Sequence, residues 1–165
     1  MKDFIVGFKE AFTLSLRQSA LKRASVTILI SMDTYRGIDV FESNDFIYGH
    51  TGLYRAPGAV TTNIEGSPII LINRAFLKLS KDIQQAIYAH EYAHILLDHV
   101  NQLEDINNTK TRIELEYEAD LYARDVLGAD IYKVLKYFLS NKIYREKRIR
   151  EELVKRIFNL SLNNA

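Results

Sequence analysis

The sequence predicts an α+β chain, because extended and helical patterns occupy different parts of it. Four short stretches between residues 25 and 73 are β-branched or alternate in polarity, whereas from residue 80 apolar side chains recur at helical spacing behind capping residues. No linker, repeat or low-complexity tract separates the two patterns. With 165 residues, the chain is long enough for one core and short for two. A single domain over residues 1–165 is therefore expected. Residues 1–79 would supply a helix and a small antiparallel or mixed sheet, and residues 80–165 a helical part.

Each element has a local reason. Phe4, Phe8, Phe12, Leu16 and Ala20 recur every four residues, which predicts a helix over residues 3–23 with one buried stripe. The β-branched run at 25–31 and the alternating run at 46–54 read as strands. Segments 59–63 and 68–73, joined through Glu65, Gly66, Ser67 and Pro68, read as a hairpin. Ser80, with Asp82 behind it, is placed to start a helix running to about residue 99. A polar loop is expected over residues 101–108. Thr111 and Glu114 have capping-box spacing and Gly128 suits a C-terminal stop, giving a helix over 112–127. Asp130 can cap a helix to about residue 141, and residues 143–160 make the last one.

Composition excludes more than it selects. The hydrophobic fraction of 47% and charged fraction of 26% are those of ordinary globular proteins. A net charge of +1 gives no reason to expect nucleic acid. The charge is uneven, however: residues 142–156 hold seven Lys or Arg against three acids, so a basic C-terminal helix is a candidate surface for a regulatory protein partner. With no cysteine, disulfides and thiolate zinc ligands are excluded. Asp3, Lys9 and Glu10 interrupt the N-terminal apolar residues, and no window approaches the roughly 18 apolar residues of a membrane span. A cytoplasmic protein is the default expectation.

Residues 90–94 read His-Glu-Tyr-Ala-His, the His-Glu-x-x-His pattern, in the middle of a predicted helix. At about 100° per residue, His94 lies about 40° around from His90 and one turn along, so both imidazoles can reach one ion. Glu91 falls about 60° from His94, placed to act on a water beside a metal without ligating it. With four His and 11 Glu in the chain, chance would produce the pattern in fewer than about one such sequence in a hundred. The two histidines also share a stripe with Ile83, Ile87 and Leu97, where paired imidazoles need a common partner. His99 falls about 180° from His90 on a regular helix and is not expected to be a ligand.

Zinc in a hydrolytic site takes three protein ligands and leaves one position open, so a third ligand is required. Glu114, Glu116, Glu118 and Asp120 alternate along the next predicted helix, with Glu114 and Glu118 on one side and Glu116 and Asp120 on the other. Leu115, Ala119, Ala123, Val126 and Leu127 centre within about 30–40° of Glu116. Glu116 therefore points inward, where a carboxylate needs a cation, while Glu114 and Glu118 read as a solvated face. Asp120, one turn on, can accept the distal N–H of a ligand histidine.

With Glu116-x-x-x-Asp120 following the His-Glu-x-x-His motif, the sequence resembles the gluzincin metallopeptidases. The run Glu116-Tyr117-Glu118-Ala119-Asp120 resembles especially the HtpX-type and ImmA/IrrE-type branches, over roughly residues 69–128. That resemblance implies one zinc per chain held by His90, His94 and Glu116, a general base at Glu91 and support from Asp120. The implied reaction is peptide-bond hydrolysis on a protein or peptide substrate. By analogy with such enzymes, Ile70, Leu71 and Ile72 would form an edge strand that aligns the substrate. His50, on one strand face with Phe46, Tyr48 and Tyr54, is the candidate oxyanion stabiliser; ten tyrosines offer no choice among themselves. The alternative is a non-catalytic module, stabilised by zinc, that binds proteins through its basic C-terminal helix. Glu91 argues against it, since a purely structural site needs no base.

Overall fold

In the computed structural model the described residues are 29–43, 57–64, 66–104, 110–144 and 147–163, and they form an α+β arrangement with a mixed sheet followed by helices. The expected helix over 3–23, the expected strand over 46–54 and His50 lie outside the described residues. The backbone divides into two compact units, residues 1–78 and 79–165.

The first unit holds the sheet. Strand β1 (Leu29–Tyr35) turns through Arg36 and Gly37 into β2 (Ile38–Ser43), with Tyr35 opposite Ile38. Both turn residues have positive φ, 50° and 84°, as a tight hairpin between right-twisted strands demands. The run expected as a strand over 25–31 thus contributes its last residues to a strand that continues to Tyr35. The following strand was not expected. Strands β3 (Ala59–Ile64) and β4 (Ser67–Ile72) form the expected antiparallel hairpin, with Gly66 at φ 80°.

Strand order is β1-β2-β4-β3, with β2 and β4 parallel. This overturns the expectation that Ile70, Leu71 and Ile72 lie on a substrate-aligning edge. Val40, Phe41 and Glu42 flank them on one side and Ala59, Val60 and Thr61 on the other, so both backbone edges are already paired. Ile69 to Ile72 are all buried, the continuous apolar run of an interior strand rather than an edge. Within the described sheet, the edges belong to β1 and β3. Beyond β4, the Asn73 side-chain oxygen accepts from the Phe76 N–H at 2.9 Å and the Gly58 N–H at 3.2 Å, tying the strand's exit to the start of β3.

The second unit is helical. Helix α1 (Lys81–Leu96) follows Ser80, whose extended backbone starts it without a side-chain cap bond. Asp98, at φ 57°, ends the run, and α2 (His99–Glu104) leaves in a new direction where a continuous helix and then a polar loop were expected. Helix α3 (Arg112–Asp125) begins where Glu114 accepts from the Thr111 N–H at 2.6 Å and the Thr111 hydroxyl at 2.7 Å. It stops before Gly128 at φ 71°. Asp130 accepts from the Lys133 N–H at 3.0 Å and starts α4 (Ile131–Ser140). Helix α5 (Lys147–Leu162) completes the unit. Buried alanines at 86, 89 and 93 on α1 and at 119 and 123 on α3 let these two helices pack closely, which brings their polar side chains within reach of each other.

Candidate metal centre

Helix α1 presents His90 and His94 one turn apart, and their Nε2 atoms lie 3.1 Å from each other. Helix α3 supplies Glu116, whose Oε2 is 3.3 Å from His90 Nε2 and whose Oε1 is 4.0 Å from His94 Nε2. The ligand atoms of these three residues all fall within 4.8 Å of one another. Glu91, adjacent to the first histidine, is 8% exposed.

A second layer surrounds this group. Asp120 is fully buried on α3, with Oδ1 2.9 Å from His90 Nδ1. The contact is close, yet the buried Nδ1 makes no formed hydrogen bond. Arg156, from α5, donates to both oxygens of Asp120 at 2.7 Å and reaches Glu116 Oε2 at 2.8 Å. The basic stretch read as a surface therefore turns one guanidinium inward. Arg112 approaches Glu116 Oε1 at 3.5 Å and also pairs with Glu152.

These contacts set the charges. Burial would raise the Glu116 and Asp120 carboxyls, but Arg156 and the histidines outweigh it and hold both below their ordinary values. Burial likewise pushes His90 down, yet Asp120 and Glu116 raise it to about 10 in the metal-free protein. His94 is lowered to about 3, first by burial and then by its neighbour His90, so it stays a neutral imidazole. Tyr144 is pushed up to about 12 by burial and by Glu91 and Glu116, against the opposing Arg156. Its phenol thus shares surroundings with the motif glutamate and packs edge-on to Phe138 at 5.6 Å.

His99 corrects another expectation. The left-handed Asp98 breaks the phase that would have carried His99 to the far side, and its Nδ1 sits 2.9 Å from His94 Nδ1. Its Nε2 is 3.2 Å from Glu118 Oε2, so Glu118 is engaged rather than merely solvated. His99 nevertheless stands outside the three-residue group. Sequence reasoning also missed Arg156 and Tyr144. A signal existed for Arg156, since its position follows Leu153 and precedes Leu160 at the spacing of a buried stripe.

The donors suit a divalent cation. Ligands about 2.0–2.2 Å from one tetrahedral zinc stand roughly 3–3.5 Å apart, which the 3.1 and 3.3 Å separations about His90 match and the 4.0 Å from His94 to Glu116 exceeds. Glu91, Glu116 and Asp120 gather three buried or largely buried carboxylates around these donors, faced by the guanidinium of Arg156 and, from the more exposed side of Glu116, by Arg112.

In this α+β chain two histidines and a glutamate converge beside a buried second glutamate, a group that could hold a metal ion. The family model described as Peptidase U49 matches residues 85–154, a stretch containing His90, Glu91, His94, Glu116 and Asp120 and ending two residues before Arg156. Over that stretch the chain is similar to a peptidase family, without the comparison singling out the HtpX-type or ImmA/IrrE-type branch. No curated protein and no solved structure gives a match. No helix among the described residues is long and apolar enough to cross a membrane.

Proposed function

We propose that this protein is a gluzincin-like zinc metallopeptidase in which His90, His94 and Glu116 hold the ion and Glu91 is the general base. The observation that supports this most directly is the convergence of three ligand atoms within 4.8 Å, with the buried Glu91 adjacent in sequence to the first of them. When bound, zinc would supply Lewis acidity toward a water and toward the substrate carbonyl. Glu91 accepts the proton of the attacking water and returns it to the leaving amine. Tyr144, kept neutral by its burial, donates to the oxygen on which charge develops. We assign that role to Tyr144 rather than His50 because Glu91 and Glu116 are among its electrostatic neighbours. Asp120 orients His90, and Arg156 holds Asp120 and Glu116 in place together.

The substrate is a peptide or protein. Arg148, Arg150 and Lys155 remain exposed on α5 and mark the surface where a regulatory protein partner would bind. Elemental analysis of the purified protein should find about one zinc per chain, and Glu116→Ala should lose it. Glu91→Gln should keep the metal and lose about 100-fold or more of its activity on an unfolded protein substrate. Absence of zinc after reconstitution, or full activity of Glu91→Gln, would sink the proposal.

A further inference from the structure

The two histidines of the centre differ in what supports them. His90 has Asp120, a carboxylate on α3, whereas His94 has another histidine. His94 Nδ1 and His99 Nδ1 are 2.9 Å apart, so one of them carries hydrogen and the other a lone pair. The far side of His99 decides which. Its Nε2 lies 3.2 Å from Glu118 Oε2, and a carboxylate only accepts, so His99 carries its hydrogen on Nε2. Lys110 approaches both oxygens of Glu118, at 2.7 and 2.9 Å, so the carboxylate is held between the ammonium and the His99 ring. With its proton on Nε2, a neutral His99 presents a bare Nδ1, which accepts from His94 Nδ1–H. His94 Nε2 is then left with its lone pair, and this is the atom 3.1 Å from His90 Nε2 and 4.0 Å from Glu116.

We propose that His99 and Glu118 are positioning residues that set the tautomer and ring orientation of His94, through a relay running Glu118, His99, His94. This rests on the metal-centre assignment above. The relay is deeply set, since His99 is 1% exposed. It exists because Asp98, at φ 57°, redirects the backbone just before His99. Reversing its polarity would put hydrogen on His94 Nε2 and remove that atom's capacity to ligate a metal.

Long-range ¹H–¹⁵N correlation spectra of the imidazoles in the metal-free wild-type protein test the relay directly. The expected result is hydrogen on His94 Nδ1 and on His99 Nε2; hydrogen on His94 Nε2 with His99 Nδ1 donating would overturn it. Zinc affinity, from competition with a chelator, supplies the second readout. His99→Ala and Glu118→Gln should each bind zinc about 10- to 100-fold more weakly, because glutamine can donate to His99 Nε2 and permit the reversed polarity. Glu114→Gln, on the same helix but outside the relay, should bind as wild type does. The half-exposed position of Glu118 keeps its variant informative should His99→Ala fail to fold. Should His94→Ala abolish zinc binding while Glu118→Gln leaves affinity and the His94 tautomer unchanged, the relay is wrong and the centre stands. Wild-type affinity in His94→Ala, or no zinc binding by the wild type, would instead overturn the centre itself.

Discussion

Replacing Arg156 with methionine keeps most of the side-chain volume and removes the guanidinium that faces Glu116 and Asp120. Three charge-assisted contacts are lost, at 2.8, 2.7 and 2.7 Å. Such bonds contribute about 1.5–3 kcal/mol each, but their sum overstates the loss, because His90 retains its proton beside the same carboxylates in the metal-free protein. The Arg156 side chain is only 13% exposed and that of Asp120 0%, so solvent screens the remaining charges weakly. Breaking a buried pair of this kind costs about 3–5 kcal/mol, a large part of a typical total stability of about 5–15 kcal/mol. Urea unfolding of the metal-free protein, followed by circular dichroism, measures the loss. Asp120→Asn in the Arg156→Met background should recover about 1–3 kcal/mol relative to additivity, because it discharges the carboxylate left behind. A loss below about 1 kcal/mol for Arg156→Met, as for an exposed pair, or strict additivity in the double variant, would refute the reasoning.

The pH dependence of metal-free stability should have two limbs. Burial and His90 depress His94 from 6.5 to about 3, so the unfolded chain binds more protons in that window and stability falls as pH drops through it. Despite burial, Asp120 and Glu116 raise His90 from 6.5 to about 10, so the folded chain keeps a proton the unfolded chain releases, and stability falls as pH rises over that range. The maximum should sit near 6.5, and His94→Gln should flatten only the acidic limb; an equally steep limb in the variant contradicts the assignment. Tyr144→Phe should lower kcat by about 100-fold or more with little change in KM, and a change confined to KM would make it a binding residue instead. Gly128→Ala, at φ 71° with open space around the added carbon, should lose about 1–2 kcal/mol from backbone strain alone in a denaturant titration.

The parts of the fold legible in the sequence are those specified by near neighbours. Thr111 with Glu114, Asp130 with Lys133, and Gly128 each act over a few residues, and the helix they bound follows. The His90, Glu91 and His94 spacing is equally local, and the inward phase of Glu116 followed from its own helix. What escaped depends on backbone exceptions or distant pairing. Arg36 precedes Gly37 in a turn that usually declares itself with asparagine, so β2 went unrecognised. The parallel pairing of β2 with β4 joins segments about 30 residues apart, and no local pattern tells an interior strand from an edge there. His99 was misplaced because Asp98 adopts a left-handed conformation in what otherwise reads as one helix. Arg156 was hidden by its company, since six other bases within residues 142–156 made the stretch look uniformly solvated.

Arg156 also bears on how small such a centre can be made. A designer copying the motif helix α1 and the acidic helix α3 into another scaffold would transfer the metal donors and the base. The graft would also carry three carboxylates into an apolar interior with the Arg156 guanidinium left behind on α5. Before any ion arrived, those acids would repel one another or take up protons, and the transplanted helices would splay. The smallest transferable unit is therefore a trio of helices rather than a pair, with the third contributing no donor to the metal and most of the restoring charge.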